Sequence, residues 1–157
     1  MKQTLVGLVA ATLIASACGA ASDAAIVTVT DATIVRASAT SCTPIVLARI
    51  GSNADTELTG ASLTDDPKVP VSLHVAAGGP RLGGHDGHLD GNGKRPTAEA
   101  DTLLIKGGAT VELSEAESYL ALDAPKNDQM GNTARLTFHF SNAADATVVA
   151  TVINNGC

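Results

Sequence analysis

Three of the four histidines in this chain fall in one stretch: His74, His85 and His88, with Asp86 and Asp90 interleaved. Imidazole and carboxylate donors suit Cu(II), Zn(II) or Ni(II), so these residues form a candidate metal site. To share an ion, their ring nitrogens must approach within about 4 Å of one another, each about 2 Å from the metal. The bland alternative is a solvated loop. His85 and His88 lie in a glycine-rich run, residues 78–96, that cannot bury apolar surface and reads as a long exposed loop spanning 76–101. Ordering such a loop around a metal costs on the order of 1 kcal/mol or more per residue fixed, which a two-histidine site does not readily offset. Calcium fits poorly: the Asp86-Gly87-His88-Leu89-Asp90-Gly91 run echoes the start of an EF-hand loop, but its third position is His88 and its twelfth is Thr97 instead of a bidentate Glu. The fourth histidine, His139, sits beside Arg135 and Thr137 on the polar side of an alternating segment and reads as a surface residue.

The three cysteines carry a different chemistry. Lys2, an apolar run at 5–14 and the small residues Ala15-Ser16-Ala17 make residues 1–17 an export signal. The apolar run is shorter than the roughly 20 residues needed to cross a bilayer. Residues 14–19, with Cys18 directly after the cut, resemble the lipobox of bacterial lipoproteins, although Ala15 stands where Leu is usual. The resemblance implies a diacylated Cys18 as a lipid anchor, residues 18–25 as a tether, and a protein exported to the outer face of the cell membrane. Cys42 and Cys157 remain, an even pair in an oxidising compartment, and are expected to form a disulfide. The bond would close a loop of more than a hundred residues, for which chain entropy gives about 4 to 5 kcal/mol as an upper figure.

Composition narrows the function classes. The chain has 157 residues, and residues 26–157 are the size of one domain. Its aromatic residues are Tyr119, Phe138 and Phe140 alone, so the core is built from Val, Leu, Ile and Ala. The net charge is −6, deepening to −7 when the signal takes Lys2 with it. No basic stripe or aromatic platform is present, which argues against nucleic acid as a partner. No Gly-x-Ser-x-Gly elbow, His-Glu-x-x-His or phosphate-cradling loop occurs either, and the expectation is a non-catalytic protein.

The elements that would position these residues are short strands. Leu136, Phe138 and Phe140 alternate with Arg135, Thr137 and His139, the period of a half-buried strand. A polar turn at 141–145 returns the chain into a β-branched run at 147–153, which predicts a hairpin. Further runs occur at 26–36, 44–50, 56–63, 69–75, 103–105, 110–113 and 119–122; Pro70 in the fourth suggests a sheet edge, and residues 114–118 have room for one helical turn. Eight or nine such strands predict an all-β, cupredoxin/immunoglobulin-like antiparallel sandwich.

At this level the chain also resembles a family. Gly107-Gly108-Ala109-Thr110-Val111-Glu112-Leu113, then Tyr119-Leu120-Ala121-Leu122, Lys126 and Leu136-Thr137-Phe138-His139-Phe140 with the return at 143–152, resemble the C-terminal half of PCu(A)C-type periplasmic copper chaperones. Upstream, Leu58-Thr59-Gly60-Ala61-Ser62 and Val71-Ser72-Leu73-His74 fit the pattern leading to that family's first histidine, so the similarity covers about residues 26–153. It implies a surface site where His and Met hold Cu(I), with His74 as the first ligand. Tyr119 and Ala121 stand where the second histidine and a methionine are implied, and Met130, the one methionine beyond the signal, lies in a turn. Loss of soft donors weakens a Cu(I) site. The nearer resemblance is to lipid-anchored actinobacterial members with a degenerate copper site. The expectation is therefore a lipid-anchored cell-envelope lipoprotein that presents loops to an envelope partner, with at most a remodelled metal site. The alternative is a copper- or zinc-binding chaperone using His74 with His85 and His88.

Overall fold

The computed structural model describes residues 24–36, 43–76, 97–123 and 131–154. Among the described residues there are ten strands: β1 (Val27–Arg36), β2 (Ile45–Ser52), β3 (Thr56–Leu63), β4 (Val71–Ala76), β5 (Thr97–Ala100), β6 (Leu103–Ile105), β7 (Thr110–Leu113), β8 (Tyr119–Leu122), β9 (Thr133–Phe140) and β10 (Ala146–Asn154). They join in the order β5-β4-β8-β2-β1-β10-β9-β3-β6, and β7 pairs with the far end of β2. The two ends of this path, β5 and β6, are separated in sequence by residues 101–102 alone, so the curled sheet nearly closes around one core. This is the expected all-β sandwich, with ten strands among the described residues where eight or nine were expected and with β1 paired to β10 in parallel within an otherwise antiparallel pattern.

Alternation builds the core. Leu136 and Phe138 are fully buried and Phe140 nearly so, while the residues between them face outward, and β9 and β10 form the predicted antiparallel hairpin. Phe138 shares one buried cluster with Ile34, Ile50, Leu58, Leu103, Ile105, Leu113, Leu120 and Leu122, each worth roughly 1.5–3 kcal/mol when buried.

Two bulges reconcile hydrophobic positions that regular strands would put on opposite faces. Leu58 and Leu63 are an odd number of residues apart, yet both are buried. The register of β3 on β9 shifts between Leu58 and Gly60, where Gly60 has φ of 152°, and the extra residue turns Leu63 back to the core. In β1 a similar shift between Thr30 and Thr33 surrounds Asp31, at φ of 55°, and brings Ala32 and Ile34 inward.

Three details differ from the sequence reading. Pro70 lies just before β4 instead of within it, so its missing N–H is not needed, and β4 is an interior strand between β5 and β8. Residues 97–100, read as part of the 76–101 loop, form β5 against β4. Residues 114–118 make a turn closed by the Ser114 N–H donating to the Ser118 carbonyl, and among the described residues there is no helix.

The turn between β6 and β7 is tied to the β2–β3 turn. Asp55 accepts hydrogen bonds from the Gly107 N–H at 2.9 Å and the Lys106 ammonium at 2.8 Å. The Gly107 bond, then that of Lys106, holds the Asp55 carboxyl below its usual range. A Cβ on Gly107 would lie 2.9 Å from the Ala54 Cα, which explains a glycine there; the next residue, Gly108, needs its φ of +78°.

Candidate metal centre

His74 is carried by β4 in register with Tyr119 of β8 on one side and Glu99 of β5 on the other. Leu73, its chain neighbour, points into the core opposite Leu120, so the Glu99–His74–Tyr119 row lies on the outer face. The imidazole and phenol rings stack with centroids 4.9 Å apart and planes inclined by 12°. The contact between the two residues is made by the rings. His74 Nε2 also lies 3.2 Å from Ser72 Oγ. At the end of β4 the Ala76 N–H donates to the buried Ser118 hydroxyl at 3.3 Å, which fixes the point where the 77–96 segment departs.

The donor set around His74 does not by itself suit Cu(I). The described residues include neither methionine nor cysteine, and their two histidines, His74 and His139, stand on strands that are not paired. No group of three or more His, Cys, Asp or Glu able to hold a metal occurs among the described residues. His85, His88, Met130 and all three cysteines (Cys18, Cys42 and Cys157) lie outside the described residues. Of the expected ligands, the structure therefore locates His74, at the root of the histidine-bearing segment.

A second polar constellation occupies the outer face of β3, β9 and β10. His139 Nδ1 lies 2.8 Å from Asp145 Oδ2, and its Nε2 lies 3.0 Å from Ser62 Oγ. Beside it Thr64, Thr137 and Thr147 link their hydroxyls at 3.1 and 2.9 Å. The reading of His139 as a residue of the polar face is correct, but its partners were not foreseen. Ser62 is remote in sequence, and only the bulge at Gly60 gives it a position next to His139.

No family model matches the chain, and no curated relative does. Among solved structures it is similar to a copper-bound PCuAC domain from PmoF2 at 15% identity, with a TM-score of 0.55 over 82% of this chain and 92% of that one. The apo PmoF2 PCuAC domain aligns at 18% identity and a TM-score of 0.57, over 83% and 92% of the two chains. The apo PCuAC domain from PmoF1 aligns at 15% and 0.54, over 82% and 93%. Identity this low speaks to architecture, and the likeness extends over nearly the whole of each neighbour. The ten-stranded sheet that carries His74 at the base of the histidine-bearing segment has the fold of the PCuAC domains.

Proposed function

We propose that this chain is an extracytoplasmic lipoprotein of the cell envelope, held to the membrane by a lipidated Cys18, which uses a PCuAC-type sandwich to present loops to an envelope protein. The His74 end is a degenerate copper site and performs no catalysis. The observation that carries this reading is the stacking of His74 on Tyr119 at 4.9 Å, which fills the ligand-side position with a ring that offers copper no soft donor. A disulfide between Cys42 and Cys157 belongs to the same reading. It is supported by topology: Val35 pairs with Ile45 and Arg36 with Asn154, so the strand ends leading toward the two cysteines lie at one end of the sheet, with β1 between them.

The second reading, a copper or zinc chaperone using His74 with His85 and His88, is favoured by the copper-bound state of one structural neighbour and by the position of His74 next to the segment bearing the other two. Isothermal calorimetry of the signal-less protein with Cu(I), Cu(II) and Zn(II), beside a His74→Ala/His85→Ala/His88→Ala variant, separates the two. The first reading expects no heat beyond dilution at micromolar protein. Micromolar or tighter binding that vanishes in the triple variant would replace it with the second.

A further inference from the structure

We propose that Ser62 is a nucleophilic serine, activated by His139 and oriented through Asp145, that accepts acyl groups from small carboxylic esters. This departs from the non-catalytic expectation drawn from the sequence motifs, goes beyond the envelope-scaffold reading and is independent of the His74 end.

The three side chains stand in the order of a Ser-His-Asp relay, which is recognised by geometry and roles and not by sequence position. The Asp145 carboxylate accepts the Nδ1–H of His139 at 2.8 Å, which selects the tautomer whose Nε2 carries the lone pair. That nitrogen is 3.0 Å from Ser62 Oγ, within the range required of a general base, and the hydroxyl donates to it. Among the described residues His139 is the one side-chain partner of the Ser62 hydroxyl, because the neighbouring Thr64, Thr137 and Thr147 hydroxyls satisfy one another.

The register supplies a further component. Ser62 pairs directly with Thr137 across β3 and β9, which makes His139 and Arg135 its two diagonal neighbours on the same face. Diagonal neighbours in an antiparallel pair lie about 7–8 Å apart at the backbone, a span that a long side chain covers. Arg135 forms no ion pair among the described residues. Arg135 is exposed, and its register position is on the side of Ser62 opposite to the base, from which a guanidinium can supply positive charge to a developing oxyanion. The side chains of His139 and Asp145 are 39% and 52% exposed and Ser62 is half-buried, so the relay opens to solvent at its His139–Asp145 end.

In the acylation step the Ser62 Oγ–H proton passes to His139 Nε2 as the Oγ–acyl carbon bond forms. The bond from that carbon to the alcohol oxygen breaks, and the leaving oxygen takes the proton back from His139. Water then attacks the acyl-serine by the reverse proton path, releasing the carboxylic acid and restoring Ser62. Arg135 and His139 act on the reacting atoms, whereas Asp145 is a positioning residue.

The test is to react the folded full chain with a fluorophosphonate probe, to map the adduct by peptide mass spectrometry, and to follow p-nitrophenyl acetate hydrolysis in parallel. The expected result is an adduct on Ser62 that is absent from Ser62→Ala and forms about a hundredfold or more slowly in His139→Gln. Asp145→Asn is expected to lower kcat for p-nitrophenyl acetate with KM unchanged, and Arg135→Ala to slow the labelling. All four positions lie on the outer face, and melting curves identify any variant that fails to fold; a folded Ser62→Cys variant then tests the same position with a thiol-directed ester. No adduct on residue 62, or labelling at the same rate in His139→Gln as in the parent, would overturn the proposal.

Discussion

The double exchange Tyr119→His/Ala121→Met tests whether the geometry of the His74 end can hold Cu(I). His74 and Tyr119 are direct cross-strand partners, and Ala121 pairs with Ser72 on the same outward side. An imidazole replacing the phenol of Tyr119 would put a second ring about where the first now stacks, at 4.9 Å between centroids. Rotation of either ring brings nitrogens to the roughly 4 Å separation at which both bind one ion at about 2 Å. A thioether from Ala121→Met would add the soft donor that Cu(I) prefers. The losses are modest. Removing the ring stack costs about 0.5–1.5 kcal/mol. Giving up the Ser72–His74 hydrogen bond costs a similar amount. Ala121 is only 8% exposed, so the longer Met strains its surroundings by about 1–3 kcal/mol. The expected outcome for Tyr119→His/Ala121→Met is a Cu(I) dissociation constant at least a hundredfold tighter than that of the parent, equivalent to about 2.8 kcal/mol. Competition against a chromophoric Cu(I) chelator under anaerobic, reducing conditions measures it. Adding His74→Ala to the double variant should erase the gain. An unchanged dissociation constant in a double variant that still melts cooperatively would refute the geometric argument.

Four further outcomes probe the scaffold. Gly107→Ala forces a Cβ to within 2.9 Å of the Ala54 backbone and is expected to destabilise by about 1–3 kcal/mol in urea titrations, with the m-value unchanged. Phe138→Ala empties the largest fully buried side-chain position and should cost about 3–5 kcal/mol, read by the same titration. Because the Asp55 carboxyl is held below 3.8 in the folded state, its contribution is complete above the ordinary carboxylate range and is lost as pH falls through the lowered folded value. The melting-temperature difference between parent and Asp55→Asn should therefore be present at neutral pH and shrink in acid. Cys42→Ser should lower stability by as much as about 4–5 kcal/mol if the bond to Cys157 exists, and thiol titration of the unreduced, denatured parent should find neither of these cysteines free.

How much of this was legible in the sequence depends on the range over which each feature is determined. The hairpin of β9 and β10 is local: Leu136, Phe138 and Phe140 set its inner face, and the turn at 141–145 sets its register, so composition and period suffice. Strand β5 is the opposite case. Thr97-Ala98-Glu99-Ala100 has little intrinsic strand character and pairs because β4 offers it an edge, a fact located in another part of the chain. Pro70 misleads for a related reason, since its effect depends on whether it falls inside the ladder or one residue before it. The resemblance to PCuAC proteins assigned His74 and Tyr119 to ligand positions, yet their facing each other and the ring stack between them follow from the pairing of β4 with β8, which no local pattern encodes.

The Ser62–His139–Asp145 relay shows why such sites escape a linear reading. The Asp145 contact spans the short hairpin turn and is nearly local, whereas the Ser62 contact joins residues 77 positions apart. That longer contact exists because Gly60 allows one extra residue in β3. Without the bulge Leu63 would face solvent and Ser62 the core, so the packing demand that buries Leu63 is the same one that turns the Ser62 hydroxyl outward to meet His139. The polar face of this sandwich is in that sense a product of its core: removing the bulge would dismantle the relay and expose Leu63 in one step, and the two effects cannot be separated by any single change at Gly60.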